Sequence, residues 1–417
     1  MARPPLDSAA ILCRSLHAFA RAHLAVMHAG GVSLLPTGTG DAVLRHQAET
    51  TPDLVVLAED QDDPRIQGLR TVALDELPVH DELPCEMAPE QVVTVLFTSG
   101  STGTPKPVAK TWAALVGEAD AVGTAFGLEA GARVITTAPL EHMYAYSFAF
   151  FIPRRLGLQA PSRRVVFPAD LRAEVARSSV PAWIISTPTH LKAMADAGVR
   201  LHTGIAGVVS ATSRMSRQLA ERVRECFGVP VSEIYGSTET GALAWRRWTG
   251  DDPVWECLPG LELHARDDDS VAVSSPYFSE PMVLSDHIEL LSSTRFRLHG
   301  RTDDVIKVAG NRASLFDLND ALLSAPGVRD GAYYMPIDVS APMVRPSAFV
   351  VLGPDGAIDD VLAFLRTRMA PVFLPRPLVE VKNLPRAASG KLSRSALDVL
   401  YQEHCLNTAD CPTGTTP

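Results

Sequence analysis

Residues 96–106 read Leu-Phe-Thr-Ser-Gly-Ser-Thr-Gly-Thr-Pro-Lys, a run of hydroxyls and glycines closed by Lys106. Glycine lets the backbone turn so that successive N–H groups point at one spot, which makes a nest for anionic oxygens. The hydroxyls of Thr98, Ser99, Ser101 and Thr102 add donors, Gly100 and Gly103 supply the turns, and Lys106 adds a charge. Such a loop suits a polyphosphate. It is not the usual ATPase loop, because no Gly-Lys-Ser/Thr closes it.

Other stretches carry groups that could act on the same ligand. Tyr235-Gly236-Ser237-Thr238-Glu239 offers an aromatic face, a hydroxyl and a carboxylate directly after an apolar strand. Taken alone it could equally be a structural turn before a helix start. Ser285-Asp286 places a carboxylate at a strand end, where a lone Asp is commonly a turn residue. Residues 300–312, Gly-Arg-Thr-Asp-Asp-Val-Ile-Lys-Val-Ala-Gly-Asn-Arg, could by themselves be a charged β-hairpin. Leu384-Pro385-Arg386-Ala387-Ala388-Ser389-Gly390-Lys391 ends on a lysine that would ordinarily be solvated. Pro139-Leu140-Glu141-His142-Met143-Tyr144-Ala145 sets a histidine among aromatics, where packing competes with chemistry as its reason.

In this order the stretches resemble the adenylate-forming ligases, a family that includes acyl-CoA synthetases, nonribosomal-peptide adenylation domains and luciferases. The pattern T-S-G-S-T-G-x-P-K spans 98–106, Y-G-x-T-E spans 235–239, and G-R-x-D-D-x-I-K-x-x-G-x-R spans 300–312. The resemblance implies that Thr98, Ser99, Gly100, Ser101, Thr102, Gly103 and Lys106 hold the phosphates of ATP. It implies that Tyr235, with Gly236, packs on the adenine, that Thr238 bonds the α-phosphate, and that Glu239 reaches Mg²⁺. Asp286 and Arg301 would take the ribose, and Arg312 would contact phosphate in the adenylating state. Asp303 would be a hinge, with Lys307 and Gly310 near the thiol path after rotation. Lys391 would bridge the acid's carboxylate and the ribose side of ATP, and His142 would line the path between carboxylate and thiol.

The departures are informative too. The glycine of the family's T-G-D step is absent before Asp286, where Leu284-Ser285 stands instead. The phosphate loop begins at residue 98, well before its position in most members, so the chain is expected to be a form shortened at its N-terminus. That shortening, Trp245-Arg246-Arg247, and the wording of 301–315 are similar to the stand-alone ligases of aryl-polyene and xanthomonadin-type pigment clusters.

The elements needed to position these groups can be read from periodicity. A helix is expected near 9–29, where Leu12, Leu16, Ala20, Leu24 and Met27 share one face and Gly30-Gly31 ends it. Strands are expected at 32–35, 54–57, 92–97, 134–137, 183–186, 207–210 and 231–235, alternating with helices at 41–50, 111–126, 189–197 and 216–227. Residues 59–90 read as an acidic surface excursion, and 254–298 as a small β-rich unit. Alternating helix and strand means an α/β fold with layered, mostly parallel sheets. The expected organisation is an N-terminal ATP- and acid-binding domain (1–300), a hinge (301–304), a small mobile α+β C-terminal domain (305–405) and a disordered tail (406–417).

Composition narrows the classes. A hydrophobic content of 46% is ample for large cores, and a net charge of −10 lacks the basic footprint of a nucleic-acid binder. Cys13, Cys85, Cys226, Cys257, Cys405 and Cys411 form no C-x-x-C pair, so neither zinc nor a disulfide framework is read, and a cytoplasmic setting is expected. No apolar run is long enough to span a membrane.

The reading is therefore an AMP-forming acid–thiol ligase. It would adenylate a carboxylic acid and then form a thioester, with an aromatic acid and an acyl carrier protein implied by the narrower resemblance. An acidic carrier would need a basic patch; Arg154-Arg155, Arg163-Arg164, the arginines of 214–224, and Arg246-Arg247 are candidates. The alternatives are an aryl- or fatty acyl-CoA synthetase using free coenzyme A, a non-catalytic nucleotide-binding module, and a kinase releasing ADP.

Overall fold

The computed structural model describes residues 6–13, 15–36, 41–98, 106–138, 140, 142–160, 164–249, 254–268, 270–301, 305–336, 345–386 and 392–406. Contacts divide the chain into two units. The first comprises Met1–Thr212, Ala220–His264 and Val273–Met282, and the second Ser213–Leu219, Ala265–Ala272 and Val283–Pro417.

In the first unit, β1 (Ser8–Leu12), β2 (Val32–Leu35), β3 (Val55–Ala58), β4 (Thr71–Ala73), β5 (Val92–Thr98) and β6 (Lys106–Thr111) make a six-stranded sheet in the order β4-β3-β1-β2-β5-β6. All neighbours are parallel except the β5–β6 hairpin. Helix α1 (Leu16–His28) starts at Ser15, whose hydroxyl accepts from the Ala18 amide, and stops where Gly30 takes a positive φ. The helix expected from residue 9 is therefore shorter. Its first residues, Ser-Ala-Ala-Ile-Leu, instead form a central strand with parallel partners on both sides, because a run with Ala9, Ala10 and Ile11 all buried suits a strand covered on both faces. The expected surface excursion at 59–90 also contributes β4 to the sheet edge, with Val72 buried.

After α2 (Asp41–Thr50) and α3 (Trp112–Phe126), a second sheet begins with β7 (Arg133–Thr136). There follow α4 (Met143–Ala145), a π-helical segment (Tyr146–Phe151), α5 (Ile152–Leu156), α6 (Pro168–Ala176), β8 (Ala182–Ser186), α7 (Pro188–Asp196), β9 (Ile205–Ser210), α8 (Arg217–Phe227), β10 (Val231–Ser237), β11 (Gly241–Arg247) and β12 (Trp255–Cys257). Strands β7, β8, β9 and β10 lie side by side in parallel, and β11 and β12 continue antiparallel. Short strands β13 (Glu262–Ala265), β14 (Val271–Ser274) and β15 (Met282–Leu284) follow, in line with the β-rich stretch expected there.

In the second unit, β16 (Asp286–Leu290) and β17 (Arg295–Arg301) form an antiparallel hairpin, as do β18 (Val305–Val308) and β19 (Asn311–Ser314). A three-stranded sheet joins β20 (Val328–Tyr334), β21 (Ser347–Leu352) and β22 (Leu378–Glu380), accompanied by α9 (Leu315–Leu323), α10 (Ile358–Arg366) and α11 (Arg394–Tyr401). Ile306 and Val308 of β18 enter a core with Leu318, Leu322, Val350 and Leu365. No helix among the described residues is long and apolar enough to cross a membrane.

Candidate active site

In the first unit, three of the sequence stretches follow strands β5, β7 and β10 along the chain. The loop after β5 and the turn after β10 both leave parallel strands at their carboxyl ends, where open α/β sheets bind ligands. Lys106 opens β6 with its side chain exposed. Ser99, Gly100, Ser101, Thr102 and Gly103 lie outside the described residues, and Thr98 is described only as the last residue of β5.

Tyr235 sits near the end of β10, where the register with β11 shifts between Tyr235 and Gly236. Gly236 cannot be another residue without a shift, because a Cβ there would lie 2.0 Å from the Gly241 carbonyl oxygen. The turn that follows is fastened to itself: the Ser237 amide donates to the Thr240 hydroxyl at 3.0 Å, and the Thr240 amide to the Ser237 hydroxyl at 3.2 Å. Thr238 is half-buried and Glu239 exposed at its tip. A tyrosine face for a purine, a hydroxyl for phosphate and an open carboxylate for a hard cation fit Mg·ATP by donor chemistry.

The Tyr235 ring is backed by a buried stack. Trp255 lies 5.8 Å from it, centroid to centroid, and the Arg246 guanidinium sits 4.5 Å from the Trp255 centroid and 4.6 Å from that of Trp248. Glu233 takes Arg246 Nε at 2.8 Å and Trp248 Nε1 at 2.6 Å. Arg246 and Glu233 are both buried, so Arg246 is withdrawn from the candidate docking patch: its charge serves the sheet rather than the surface. Arg154 is likewise turned inward to the Phe150 carbonyl, with burial lowering its guanidinium to about 10.

His142 caps α4 with an extended backbone and a half-buried side chain. Tyr144 ties this helix to β9, its hydroxyl donating to the Val209 carbonyl at 2.8 Å. Tyr146 is fully buried, with its hydroxyl 2.9 Å from His23 Nε2. His23 Nδ1 in turn meets the Ser33 hydroxyl, and burial holds this imidazole neutral, down to about 3. The aromatic density after His142 is thus largely core: Phe148, Phe150 and Phe151 are buried as well.

In the second unit, Asp286 begins β16 directly opposite Arg301 of β17. Arg312 and Lys307 face each other across β18–β19, both exposed, and Ala309-Gly310 make the turn with positive φ at each position. Of the stretch read as a possible charged hairpin, residues 305–312 lie in a hairpin, with Lys307 and Arg312 exposed. Asp303 and Lys391 lie outside the described residues, and so do the Arg301 side chain and the tail from 407.

Sequence reasoning passed over Lys110 and Glu118, which are buried beside the Ser237–Gly241 turn of the first unit. Lys110 Nζ donates to the Glu239 carbonyl at 2.6 Å, and Glu118 Oε1 accepts from the Ala242 amide at 2.9 Å. Burial lowers the Lys110 ammonium to about 8 and raises the Glu118 carboxyl. Neither residue stands in a stretch whose spacing marks it; only the sheet brings them to the turn.

Comparison with known proteins agrees with this architecture. Residues 5–273 match the model of the AMP-binding enzyme family, and residues 317–391 match that of the AMP-binding enzyme C-terminal domain. The chain is similar to a 4-coumarate–CoA ligase of Cereibacter sphaeroides, 29% identical over 301 residues covering 71% of this chain and 69% of that one. It is similar to a 4-hydroxybenzoate–CoA/benzoate–CoA ligase of Rhodopseudomonas palustris, 26% identical over 404 residues covering 85% and 73%. Among solved structures, o-succinylbenzoate coenzyme A synthetase (MenE) from Bacillus subtilis, in complex with ATP and magnesium ion, superposes with a TM-score of 0.76 at 22% identity, covering 94% of this chain and 89% of that one. The chain belongs to the AMP-binding enzyme family. Its class is that of AMP-forming acid–thiol ligases.

Proposed function

We propose that this enzyme activates an aromatic carboxylic acid with ATP and passes the acyl group to a thiol. A carboxylate oxygen attacks the α-phosphorus, the bond to the β-phosphate bridging oxygen breaks, and pyrophosphate leaves. The thiol sulfur then attacks the acyl carbon of the mixed anhydride, and AMP departs with the electron pair of the broken C–O bond. The observation that carries this reading is the turn after β10, which presents Thr238 and Glu239 beside Tyr235 at the carboxyl end of a parallel strand.

In this mechanism Tyr235 orients the base, Thr238 holds the α-phosphate, and Lys106 and the loop at 98–103 grip the β- and γ-phosphates. Glu239 would hold Mg²⁺, which neutralises phosphate charge when bound. Asp286 and Arg301 serve the ribose. Lys391 and Arg312 supply cationic contacts during adenylation, stabilising charge that builds in the transition state. Rotation at Asp303 then exchanges Lys391 for the thiol path flanked by Lys307 and Gly310, with His142 near the acyl carbon.

Both named relatives are aryl-CoA ligases, which supports an aromatic acid and coenzyme A as acceptor. The likeness of Trp245-Arg246-Arg247 and 301–315 to pigment-cluster ligases supports an acyl carrier protein instead. Acid-dependent pyrophosphate release over a panel of aryl and fatty acids tests the reaction. Turnover with a hydroxybenzoate or hydroxycinnamate is expected, and turnover with fatty acids alone would overturn the aromatic assignment. Offering coenzyme A and a phosphopantetheinylated carrier in parallel then separates the acceptors.

A further inference from the structure

The turn that carries Thr238 and Glu239 is held from beneath by two buried ionisable side chains that no step above uses. Lys110 comes from β6, the strand that leaves the phosphate loop, and reaches the Glu239 carbonyl at 2.6 Å. Glu118 comes from the next helix, α3, and takes the Ala242 amide at 2.9 Å on the far side of the same turn. Gly241, with φ +73°, is the closing residue; a Cβ there would stand 3.0 Å from Glu118 Oε2. The second Glu118 oxygen accepts from the Ser147 hydroxyl at 3.1 Å, and Ser147 lies in the π-helical segment that continues from His142 and α4. π-Helical turns inside helices recur at functional sites. Lys110 and Glu118 are 3% and 4% exposed, so neither is a solvated surface charge.

We propose that Lys110 and Glu118 are positioning residues that lock the Ser237–Gly241 turn to the phosphate-loop strand and to the His142 helix. Three stretches far apart in sequence, at 106–110, 142–147 and 235–242, then move as one body. Thr238 and Glu239 are presented at a fixed place relative to Lys106 without either buried residue touching the nucleotide. A buried ammonium or carboxylate stripped of its partner is costly, and Lys110 and Glu118 are both buried, so a tie of this kind resists local opening of the turn. Burial weakens both charges, Lys110 to about 8 and Glu118 upward, which is the expense of placing ionisable groups here rather than apolar ones.

The inference rests on the nucleotide reading of the turn, and the experiment separates the two. Glu239→Gln tests that reading: it should raise the Mg²⁺ concentration for half-maximal adenylation at least tenfold, and an unchanged value would remove the turn from the nucleotide site. Lys110→Met and Glu118→Gln test the tie. Each should raise the dissociation constant of a non-hydrolysable ATP analogue, measured by calorimetry, by about tenfold or more. Each should also speed amide hydrogen exchange in a peptide covering 237–242, while Lys110→Arg, which keeps a donor, restores most of the affinity. If Glu239→Gln has its effect but Lys110→Met and Glu118→Gln only lower the melting temperature, leaving nucleotide affinity and exchange at 237–242 alone, the tie is merely structural and the inference is wrong. Should Lys110→Met not fold, Ser147→Ala removes a single hydroxyl from the same tie; several-fold weaker analogue binding supports the inference, and wild-type affinity overturns it.

Discussion

Two of the hairpin turns in this molecule carry charged stretches, and they are built in opposite ways. The Ser237–Gly241 turn of the first unit is enclosed: Gly236 has no room for a side chain, and Lys110 and Glu118 hold both flanks. The Ala309-Gly310 turn of the second unit stands open, with nothing within 4 Å of a Cβ built on Gly310. Its hairpin is anchored through Ile306, Val308 and Ala313, while Lys307 and Arg312 are exposed. A group that must hold a phosphate in one geometry benefits from a rigid support. A group that must approach a ligand in one step and leave in the next benefits from a small anchored core with its charges free to be redirected, which is the role proposed for the second unit.

The largest expected effect comes from the second unit's Lys391. Lys391→Ala should slow pyrophosphate release from free acid by about 10²–10³-fold, the range for losing a charge that stabilises the transition state. Thioester formation from a synthetic acyl-adenylate should stay near the wild-type rate; equal loss in both assays would mean that the two units do not divide the labour.

Next in size is the buried stack behind Tyr235. Arg246→Met leaves Glu233 buried without its cation and should cost about 3–5 kcal/mol in urea unfolding. The double substitution with Glu233→Gln should recover a large part of that, since no uncompensated charge remains. Failure of the second change to recover anything would show that packing between Trp248 and Trp255, rather than charge pairing, is what Arg246 contributes.

His23 extends the contrast to pH. Its imidazole is held down to about 3 in the fold against about 6.5 in the unfolded chain, so between those values the unfolded state binds more protons. The stabilising contribution is complete above pH 6.5 and is lost as pH falls toward 3. Acidification from pH 6.5 to 5 should cost about 2 kcal/mol through this group. His23→Gln, which cannot titrate, should show a correspondingly shallower fall; parallel curves would mean that the His23–Tyr146 contact opens before the ring protonates.

The smallest effect tests the turns directly. Gly310→Ala should cost roughly 1–2 kcal/mol, from positive φ alone. Gly236→Ala should cost more, although its φ is not positive, because its Cβ would collide with backbone. Equal costs from chemical denaturation would erase the distinction between the enclosed and the open turn.

Local sequence was enough for the elements whose signals are short-range. The apolar run at 92–97 is a strand, and the helix at 112–126 begins at a Thr cap and ends at a left-handed Gly127. The stretches at 235–239 and 300–312 stood out because their residue types and spacing match those of the adenylate-forming ligases, a pattern that no strand or helix periodicity produces. Strand β6 escaped notice because Lys-Pro-Val-Ala-Lys-Thr carries two lysines and a proline, a composition that only an edge strand tolerates. Strand β11 escaped because Thr238–Gly241 reads locally as a helix start, whereas Gly236 and Gly241 fold it back as a hairpin. Strand β1 merged with the helix behind it, since Leu12 falls on the same helical face as Leu16, Ala20, Leu24 and Met27, and parallel partners on both sides are what distinguish a central strand.

The amino-acid sequence by itself thus determined the α/β class, the order of the glycine- and hydroxyl-rich, aromatic and charged stretches, and through them the family. Tertiary structure decided which charged residues work inside the protein. Arg246 looked like a surface arginine and is a buried stacking partner, and Lys110 and Glu118 carried no signal yet meet at a turn well over a hundred residues further along the chain. The physical reason is that the worth of a charge depends on its solvation and its partners. Both are properties of the place the fold brings it to, and neither is written in its immediate neighbours along the chain.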